Sequence, residues 1–273
     1  MASTLTAVPL SASIGAAVLY LLAAALQTRS LRRKHNLPNA TLLATLAPAM
    51  VLHGIAAYFQ INTPAGLYLG FYVAGSLASL VMVLVVVLVA LRLPVQSLLL
   101  LVLPVSVLGV LTAAFGETSF DPREHLSRAL VIHILVSLFA YSLLFMAACQ
   151  AVLVAFQEQA LRRRGAISLL RLLPPLETME QLLFSLLWIG IAGLSLAIVT
   201  GFVFLEDMFA QHVVHHTIFA IASWCVYALL LAGHRISGWR STTATAWVLI
   251  AFSLLVLGYF GSKFVLEILI QPQ

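Results

Sequence analysis

Charged side chains are scarce in this sequence. Only 8% of its residues are Asp, Glu, Lys or Arg, whereas a soluble domain carries about 25%. Hydrophobic residues make up 62% of the chain, and the mean hydropathy is +1.08. Apolar runs of about 18 residues or more, long enough to cross a hydrocarbon core of about 30 Å, recur along almost the whole length. The composition therefore excludes a soluble protein and predicts an integral membrane protein.

Cysteine is rare, and cysteine motifs and the common catalytic motifs are missing. The two cysteines, Cys149 and Cys225, both fall inside predicted helices, and no CxxC or CxxCH spacing occurs. The sequence has no phosphate-binding glycine loop, no GxSxG elbow and no paired intramembrane carboxylates. The sequence thus offers no candidate residues for hydrolytic catalysis and few for proton-coupled transport. We expect that the protein is not an enzyme.

The apolar runs are too long and too uniform for β-barrel strands, which alternate at period two. We therefore predict an all-α fold, a polytopic helical bundle that forms one transmembrane domain over residues 1–273. About eight spans are predicted, at residues 6–26, 39–60, 67–91, 95–115, 128–156, 179–205, 213–234 and 243–269. The longest loops, 116–127 and 157–178, are too short to bury a soluble core.

The distribution of lysine and arginine predicts the orientation of these spans, because positively charged loops stay in the cytoplasm. If the N-terminus is outside, eleven of the fourteen basic residues fall in inner segments. The three that remain outside are Arg123, Arg128 and Lys263. We therefore predict a bacterial inner-membrane protein with both termini in the periplasm. The net charge of +5 is then explained by topology and contact with anionic lipid rather than by nucleic acid.

Histidines on separate predicted helices fall at a similar depth in the outer leaflet. His53 lies about 10 Å below the outer end of the second span, His133 about five residues inside the fifth, and His215 and His216 one turn inside the seventh. An imidazole in hydrocarbon needs a hydrogen bond, a water-filled cavity or a metal. Interhelical hydrogen bonds explain any single histidine, but several at one level favour a shared site.

Two neutral imidazoles on facing helices can hold haem from both axial sides. Zinc could use three histidines, but it usually adds a carboxylate or an open water position in a polar cavity. The surrounding Leu, Phe, Ala and Tyr residues suit a flat apolar macrocycle better. We therefore predict that haem b is ligated by two of these histidines, drawn from His53, His133 and the neighbouring pair His215 and His216.

Haem also carries two propionates, which need cations at the membrane edge. Arg128 comes five residues before His133, and Arg123 lies in the preceding loop. These arginines are candidate propionate anchors, although ordinary snorkelling to the interface explains them equally well.

Several motifs occur in an order typical of one protein family. The run HILVSLFAYSLLFMAACQAVLVAFQEQALRRR ends in a basic cluster, LLPPLETMEQLLF opens the next helix, and GIAGLSLAIVTG leads to an outer loop. A GWR turn and a YFG step follow near the end. Over residues 125–270 the chain resembles the cytochrome c assembly family of membrane proteins, and residues 1–124 match it more loosely. This resemblance implies a partnership with haem and with other cytochrome c maturation proteins.

The sequence departs from that family's synthases in its outer loop. Synthase-type members carry a tryptophan-rich WWD segment before the seventh helix, where this chain reads FLEDMFAQHVVHHTIFA. The external histidine expected after the YFG step is also missing. The chain is therefore more similar to the short, HemX-like inner-membrane branch.

The resemblance assigns roles to individual histidines. His133 matches the family's first external histidine, and His234 matches the histidine at the inner end of the penultimate helix. His215 stands near the missing WWD element, which favours it over its neighbours His212 and His216, so the predicted ligands are two of His53, His133 and His215. We expect a protein that binds b-type haem and supports cytochrome c biogenesis or haem trafficking. Two alternatives remain open: a small-molecule or proton-coupled transporter, and a structural membrane partner that regulates haem synthesis.

Overall fold

The computed structural model is almost entirely helical in the residues that it describes, which are 2–33, 37–92, 95–116, 127–162, 174–204, 214–265 and 268. The helices are α1 (Ala2–Arg32), α2 (Asn39–Ile61), α3 (Phe71–Ala90), α4 (Leu99–Phe115), α5 (Arg128–Arg162), α6 (Leu176–Phe204), α7 (Val214–Ser237) and α8 (Ser241–Val256). A 3₁₀ turn, Gln96–Leu98, precedes α4, and a π-helical turn, Leu257–Gly261, extends α8 toward a last helical turn, Ser262–Phe264.

Eight helical segments in the described part of the chain are long and apolar enough to cross a membrane. The prediction of a polytopic membrane helical bundle is confirmed. The main difference from the predicted spans lies before α3, where residues 67–70 are not helical. A short antiparallel hairpin pairs Asn62–Thr63 with Gly66–Leu67, and Gly66 has a φ of 124°, which a residue with a side chain rarely adopts.

The chain divides into two compact units. The first unit comprises residues 1–126 and 263–273, and in it α1 packs against α2 and α4 while α3 packs against α4 and α2. The second unit comprises residues 127–262, and in it α5 packs along α6 and α8 while α7 packs against α8 and α6. The single transmembrane domain inferred from the sequence stays a prediction.

Small residues let α5 and α6 approach closely. A Cβ atom added to Gly193 would lie 3.2 Å from the Cβ of Ala140 and 3.4 Å from its Cα. Such contacts are typical of membrane helices, which associate through close packing because lipid removes the usual hydrophobic driving force. The contact holds the two helices together about two turns below His133 along α5.

Polar bonds connect the helices of the second unit. The indole Nε1 of Trp224 donates to Oγ of Ser195 at 2.8 Å, joining α7 to α6. Ser223 donates to the carbonyl of Ala251 at 2.7 Å, joining α7 to α8. In hydrocarbon such bonds satisfy polar groups that water cannot reach. They also fix the rotation of α7, and hence the direction in which its histidines point.

Candidate functional site

A pocket opens in the second unit, at the end where α5 and α7 begin and α6 finishes. Its lining residues are His133, Ser137, Tyr141, Leu194, Ala197, Ile198, His216, Thr217, Ala220 and Ile221. The volume of this cavity is about 40 Å³. It has room for only a few water molecules and is well below the roughly 300–1,000 Å³ of ligand pockets.

The pocket follows from helical periodicity. Residues four apart on a helix share a face, and His133, Ser137 and Tyr141 have this spacing on α5. The contributions of α6 and α7 repeat at intervals of three and four residues in the same way. Since most of these lining residues are apolar, the two imidazoles face a slot that is mainly hydrocarbon.

His133 is held by the neighbouring helix. Its Nδ1 lies 3.1 Å from Oγ1 of Thr200 on α6. The Thr200 hydroxyl donates to the carbonyl of Ala197, one turn earlier on the same helix, at 3.0 Å. The imidazole is half-buried and forms part of the pocket wall. One ring nitrogen is therefore committed to α6, and the other is available to the pocket.

His216 has a buried nitrogen without a partner. Its Nδ1 is shielded from solvent and has no hydrogen-bond partner among the residues that the structure describes. The carbonyl of Gly258, in the π-helical turn, interacts with the same ring. A buried polar atom without a partner costs about 1–3 kcal/mol and marks a place for a ligand, an ion or a water molecule.

Two tyrosines surround the His216 ring. The ring centroid of Tyr141 lies 6.3 Å from that of His216, and the centroid of Tyr259 lies 5.5 Å from it. Both pairs are arranged edge to face, and the two tyrosine rings are themselves 6.1 Å apart. These contacts restrict the rotation of the imidazole and hold it against the pocket.

His215 is placed differently from its neighbour. It is exposed on α7, whereas His216 lines the pocket. Consecutive helical residues are about 100° apart around the axis, so adjacent histidines cannot share a face. The sequence favours His215 because it stands near the missing WWD element, but position along the chain does not give the direction of each side chain. His212 lies outside the described residues.

His53 belongs to the first unit and has neither ring nitrogen free. It is fully buried, with Nδ1 3.2 Å from the hydroxyl of Tyr20 and Nε2 2.8 Å from the hydroxyl of Ser76. The Tyr20 and His53 rings also meet edge to face at 5.7 Å. A metal ligand needs a free lone pair, so ligation by His53 would require one of these bonds to break.

His234 lies at the opposite end of α7 from the pocket. It follows His216 by 18 residues, about 27 Å along the helix at 1.5 Å per residue. Its Nδ1 donates to the carbonyl of Trp239 at 2.8 Å, and its ring stacks on Phe184 with 3.5 Å between centroids. The structure therefore does not bring His234 to the same site as His133 and His216.

Arg128 begins α5 and is exposed. It precedes His133 by five residues, which is about 7.5 Å along the helix axis. An exposed cation at this distance from the pocket can reach an anionic group at the membrane edge. Arg123, the other candidate anchor, lies outside the described residues.

Comparison with known proteins identifies the family. The cytochrome c assembly proteins match this chain over residues 8–270. The chain belongs to that family. Inner membrane protein YpjD of Escherichia coli K12 is 29% identical over 223 residues, which cover 81% of this chain and 84% of that protein. An uncharacterized 28.8 kDa protein of Azospirillum brasilense is 37% identical over 141 residues, covering 51% of this chain and 52% of that protein.

Membership of the cytochrome c assembly family indicates a role in cytochrome c biogenesis. The match begins in α1, so the first four helices belong to the matched region as well. No solved structure matches the chain significantly.

The sequence of this assembly protein did not identify three residues that lie at or near the pocket histidines. Tyr141, Thr200 and Tyr259 carry no metal-ligating pattern, and their sequence signals are only the AY step, the TG pair and the YFG step that mark the family resemblance. Tyr141 lies about two turns after His133 on α5, whereas Thr200 and Tyr259 lie on other elements than the two histidines. Their roles become apparent only once the packing of α5 to α8 is known.

The donor set distinguishes possible ligands for this member of the cytochrome c assembly family. A structural zinc site needs four protein ligands and a catalytic one usually three. No group of three or more His, Cys, Asp or Glu side chains placed to hold a metal ion occurs in the described part of the chain. Haem needs only one or two axial ligands, since the macrocycle supplies the other four. The pair His133 and His216 is therefore suited to haem rather than to bare zinc.

Proposed function

We propose that this chain is a haem-binding member of the cytochrome c assembly family that supports cytochrome c biogenesis or haem trafficking in the bacterial inner membrane. The pocket of the second unit would hold a b-type haem, with His133 on α5 and His216 on α7 as the residues that bind its iron. The predominantly apolar helices support a multi-pass membrane location. The Escherichia coli relative is an inner membrane protein, which supports the same location for this chain.

The observation that carries this proposal is the unpaired Nδ1 of His216 in a pocket shared with His133. A structural histidine in hydrocarbon has both polar nitrogens satisfied, as His53 does through Tyr20 and Ser76. Nδ1 of His216 has no such hydrogen-bond partner in the described structure, and its ring faces an apolar slot that also contains the imidazole of His133. An iron atom would supply the missing partner, because neutral imidazole is a common iron ligand.

The two imidazoles and the apolar lining fit haem by their chemistry. The cavity of about 40 Å³ is smaller than the macrocycle, so binding would require the pocket ends of α5 and α7 to separate. Haem bound there supplies a redox-active iron or is itself the cargo. Arg128, exposed near the start of α5, would hold a propionate through a charge-assisted hydrogen bond.

We further propose that the protein is an accessory factor or haem carrier and not an enzyme. The segment from Glu206 to Thr217 contains no tryptophan, whereas the synthases carry the WWD element there. Covalent attachment of haem requires that its vinyl groups be presented to a pair of thiols outside the membrane. The absence of this element supports a place in the short, HemX-like branch of the family.

Absorption spectroscopy tests the proposal directly. The protein is expressed in cells with ample haem, purified in detergent, and measured oxidised and reduced, next to the double variant His133→Ala/His216→Ala. We expect a Soret band in the wild type and its loss in the double variant, with both eluting as the same folded species in size-exclusion chromatography. A colourless wild type that also takes up no added haem would contradict the proposal and favour a transporter or a structural partner.

A further inference from the structure

The hydroxyl of Thr200 connects His133 to the backbone of α6. Its oxygen lies 3.1 Å from Nδ1 of His133 and 3.0 Å from the carbonyl oxygen of Ala197. The Ala197 carbonyl also interacts with the His133 ring. The side of the imidazole that faces α6 therefore meets a hydroxyl and a carbonyl, both of which are hydrogen-bond acceptors.

The number of available protons determines the direction of these bonds. A threonine hydroxyl has one proton and two lone pairs, and a carbonyl oxygen can only accept. Because the Ala197 carbonyl takes the hydroxyl proton, Thr200 is left to accept from Nδ1–H of His133. A neutral imidazole carries one N–H, so the lone pair of His133 lies on Nε2.

We propose that Thr200 is the positioning residue for His133. It fixes the Nδ1–H tautomer, so that Nε2 carries the lone pair and can act as the haem ligand. This inference rests on the proposed function, since it concerns the same haem site. A hydrogen bond from the distal N–H of a ligating histidine fixes the ring orientation and raises the basicity of the ligand. Thr200 therefore strengthens the bond from iron to His133 and favours the ferric state.

His216 and His53 differ from His133 in the hydrogen bonds of their ring nitrogens. Nδ1 of His216 has no partner within the described residues, so no side chain sets its tautomer as Thr200 does for His133. His53 has a hydroxyl on each nitrogen, which leaves no lone pair free. Of the three, His133 alone has one nitrogen bonded to a side chain in the described structure and forms part of the pocket wall.

The test compares Thr200→Val, which keeps the shape but removes the oxygen, with Thr200→Ser, which keeps the hydroxyl. Haem affinity is measured by titration into the apoprotein, and the midpoint potential by redox titration of the loaded protein. We expect Thr200→Val to bind haem about 10–100-fold more weakly and to have a higher midpoint potential, because a less basic ligand stabilises ferric iron less. Thr200→Ser is expected to stay near the wild type in both measurements.

A matched control separates this role from the general effect of losing a threonine. Thr112 on α4 also bonds back to its own helix, with Oγ1 2.8 Å from the carbonyl of Leu108, and it faces no histidine in the described structure. Thr112→Val should leave affinity and potential unchanged. Where Thr200→Val does not fold, Thr200→Ala is measured in its place, because a smaller side chain avoids any clash.

The outcomes separate the inference from the proposal that underlies it. A wild type that binds no haem would contradict the site itself, whatever the variants do. A wild type that binds haem, with Thr200→Val or Thr200→Ala equal to it in both affinity and potential, would overturn the role of Thr200 and leave the site intact. A lower thermal midpoint without a change in the potential of the bound haem would likewise show Thr200 to be merely structural.

Discussion

Nε2 of His53 lies 2.8 Å from the hydroxyl of Ser76, and this bond links α2 to α3 in the fully buried centre of the first unit. The other ring nitrogen is bonded to Tyr20 on α1. One imidazole thus joins three helices. Residues with this arrangement specify helix packing, because each polar atom in hydrocarbon must find its partner.

We therefore predict that His53→Ala reduces stability without removing the haem. The substitution leaves the hydroxyls of Tyr20 and Ser76 unpaired, which costs about 1–3 kcal/mol, with interhelical bonds in membranes lying toward the lower end. Thermal unfolding in detergent should show a lower midpoint, and the Soret band of the folded fraction should be unchanged. Loss of the Soret band from fully folded His53→Ala protein would restore His53 as a ligand.

Adjacent histidines on α7 form a natural matched pair. His216→Ala is expected to abolish or shift the Soret band, because it removes a pocket nitrogen, whereas His215→Ala should keep the wild-type spectrum, because His215 is exposed on the helix. Both variants remove an imidazole at nearly the same depth, so differences in expression or insertion should be small. The reverse result would place the ligand on the other face of α7 and exclude the pocket as the haem site.

The eight spans could be predicted because uninterrupted apolar runs have few alternatives in a membrane. His133 could be selected as well, since a histidine five residues inside a span is costly unless it is used. The choice between His215 and His216 could not be made, because it depends on the rotation of α7, which Trp224 and Ser223 fix through bonds to other helices. The sequence also could not show that His53 and His133 lie in separate units, because this depends on how the helices pack.

Gly258 allows α8 to approach α7 closely beside His216. A Cβ atom added there would lie 2.7 Å from the Cβ of Phe219, which cannot rotate away. Gly258→Ala should therefore push the helices apart at the π-helical turn and destabilise the protein by about 1–3 kcal/mol. Because the Gly258 carbonyl interacts with the His216 ring, the haem spectrum should change too.

Gly54 on α2 is the control for this substitution. A Cβ atom added there meets nothing within 4 Å, so Gly54→Ala should be neutral or stabilise α2 by up to about 1 kcal/mol, the difference in helix propensity. The measurement is the midpoint of thermal unfolding of both variants, followed by their spectra. Equal effects of the two substitutions would contradict the close approach at Gly258.

The orientation that the basic residues predict is open to a direct test. Fusions of a reporter at Gly165 and Gly238 should be cytoplasmic, because the arginines and lysines concentrate in those inner segments. A reporter in the 116–127 loop should be periplasmic, on the side where His133 and the pocket lie. Alkaline phosphatase activity and green fluorescent protein fluorescence report opposite sides, so each fusion site gives two independent readings. The inverted pattern would move the pocket to the cytoplasmic leaflet.

Covalent haem attachment is the activity that this family member should lack when it acts alone. Synthases present haem to the two thiols of an apocytochrome CxxCH motif on a tryptophan-rich platform, and residues 206–217 of this chain contain no tryptophan. A ring ligated by His133 and His216 would also be held between helices, where a peptide has little access to both vinyl groups.

We therefore expect expression of this protein as the sole maturation factor, together with a reporter apocytochrome, to yield no haem that survives denaturing electrophoresis. A complete synthase expressed in the same cells serves as the positive control. Haem staining of the reporter band without that synthase would show that the chain catalyses attachment after all, and the accessory role would have to be abandoned.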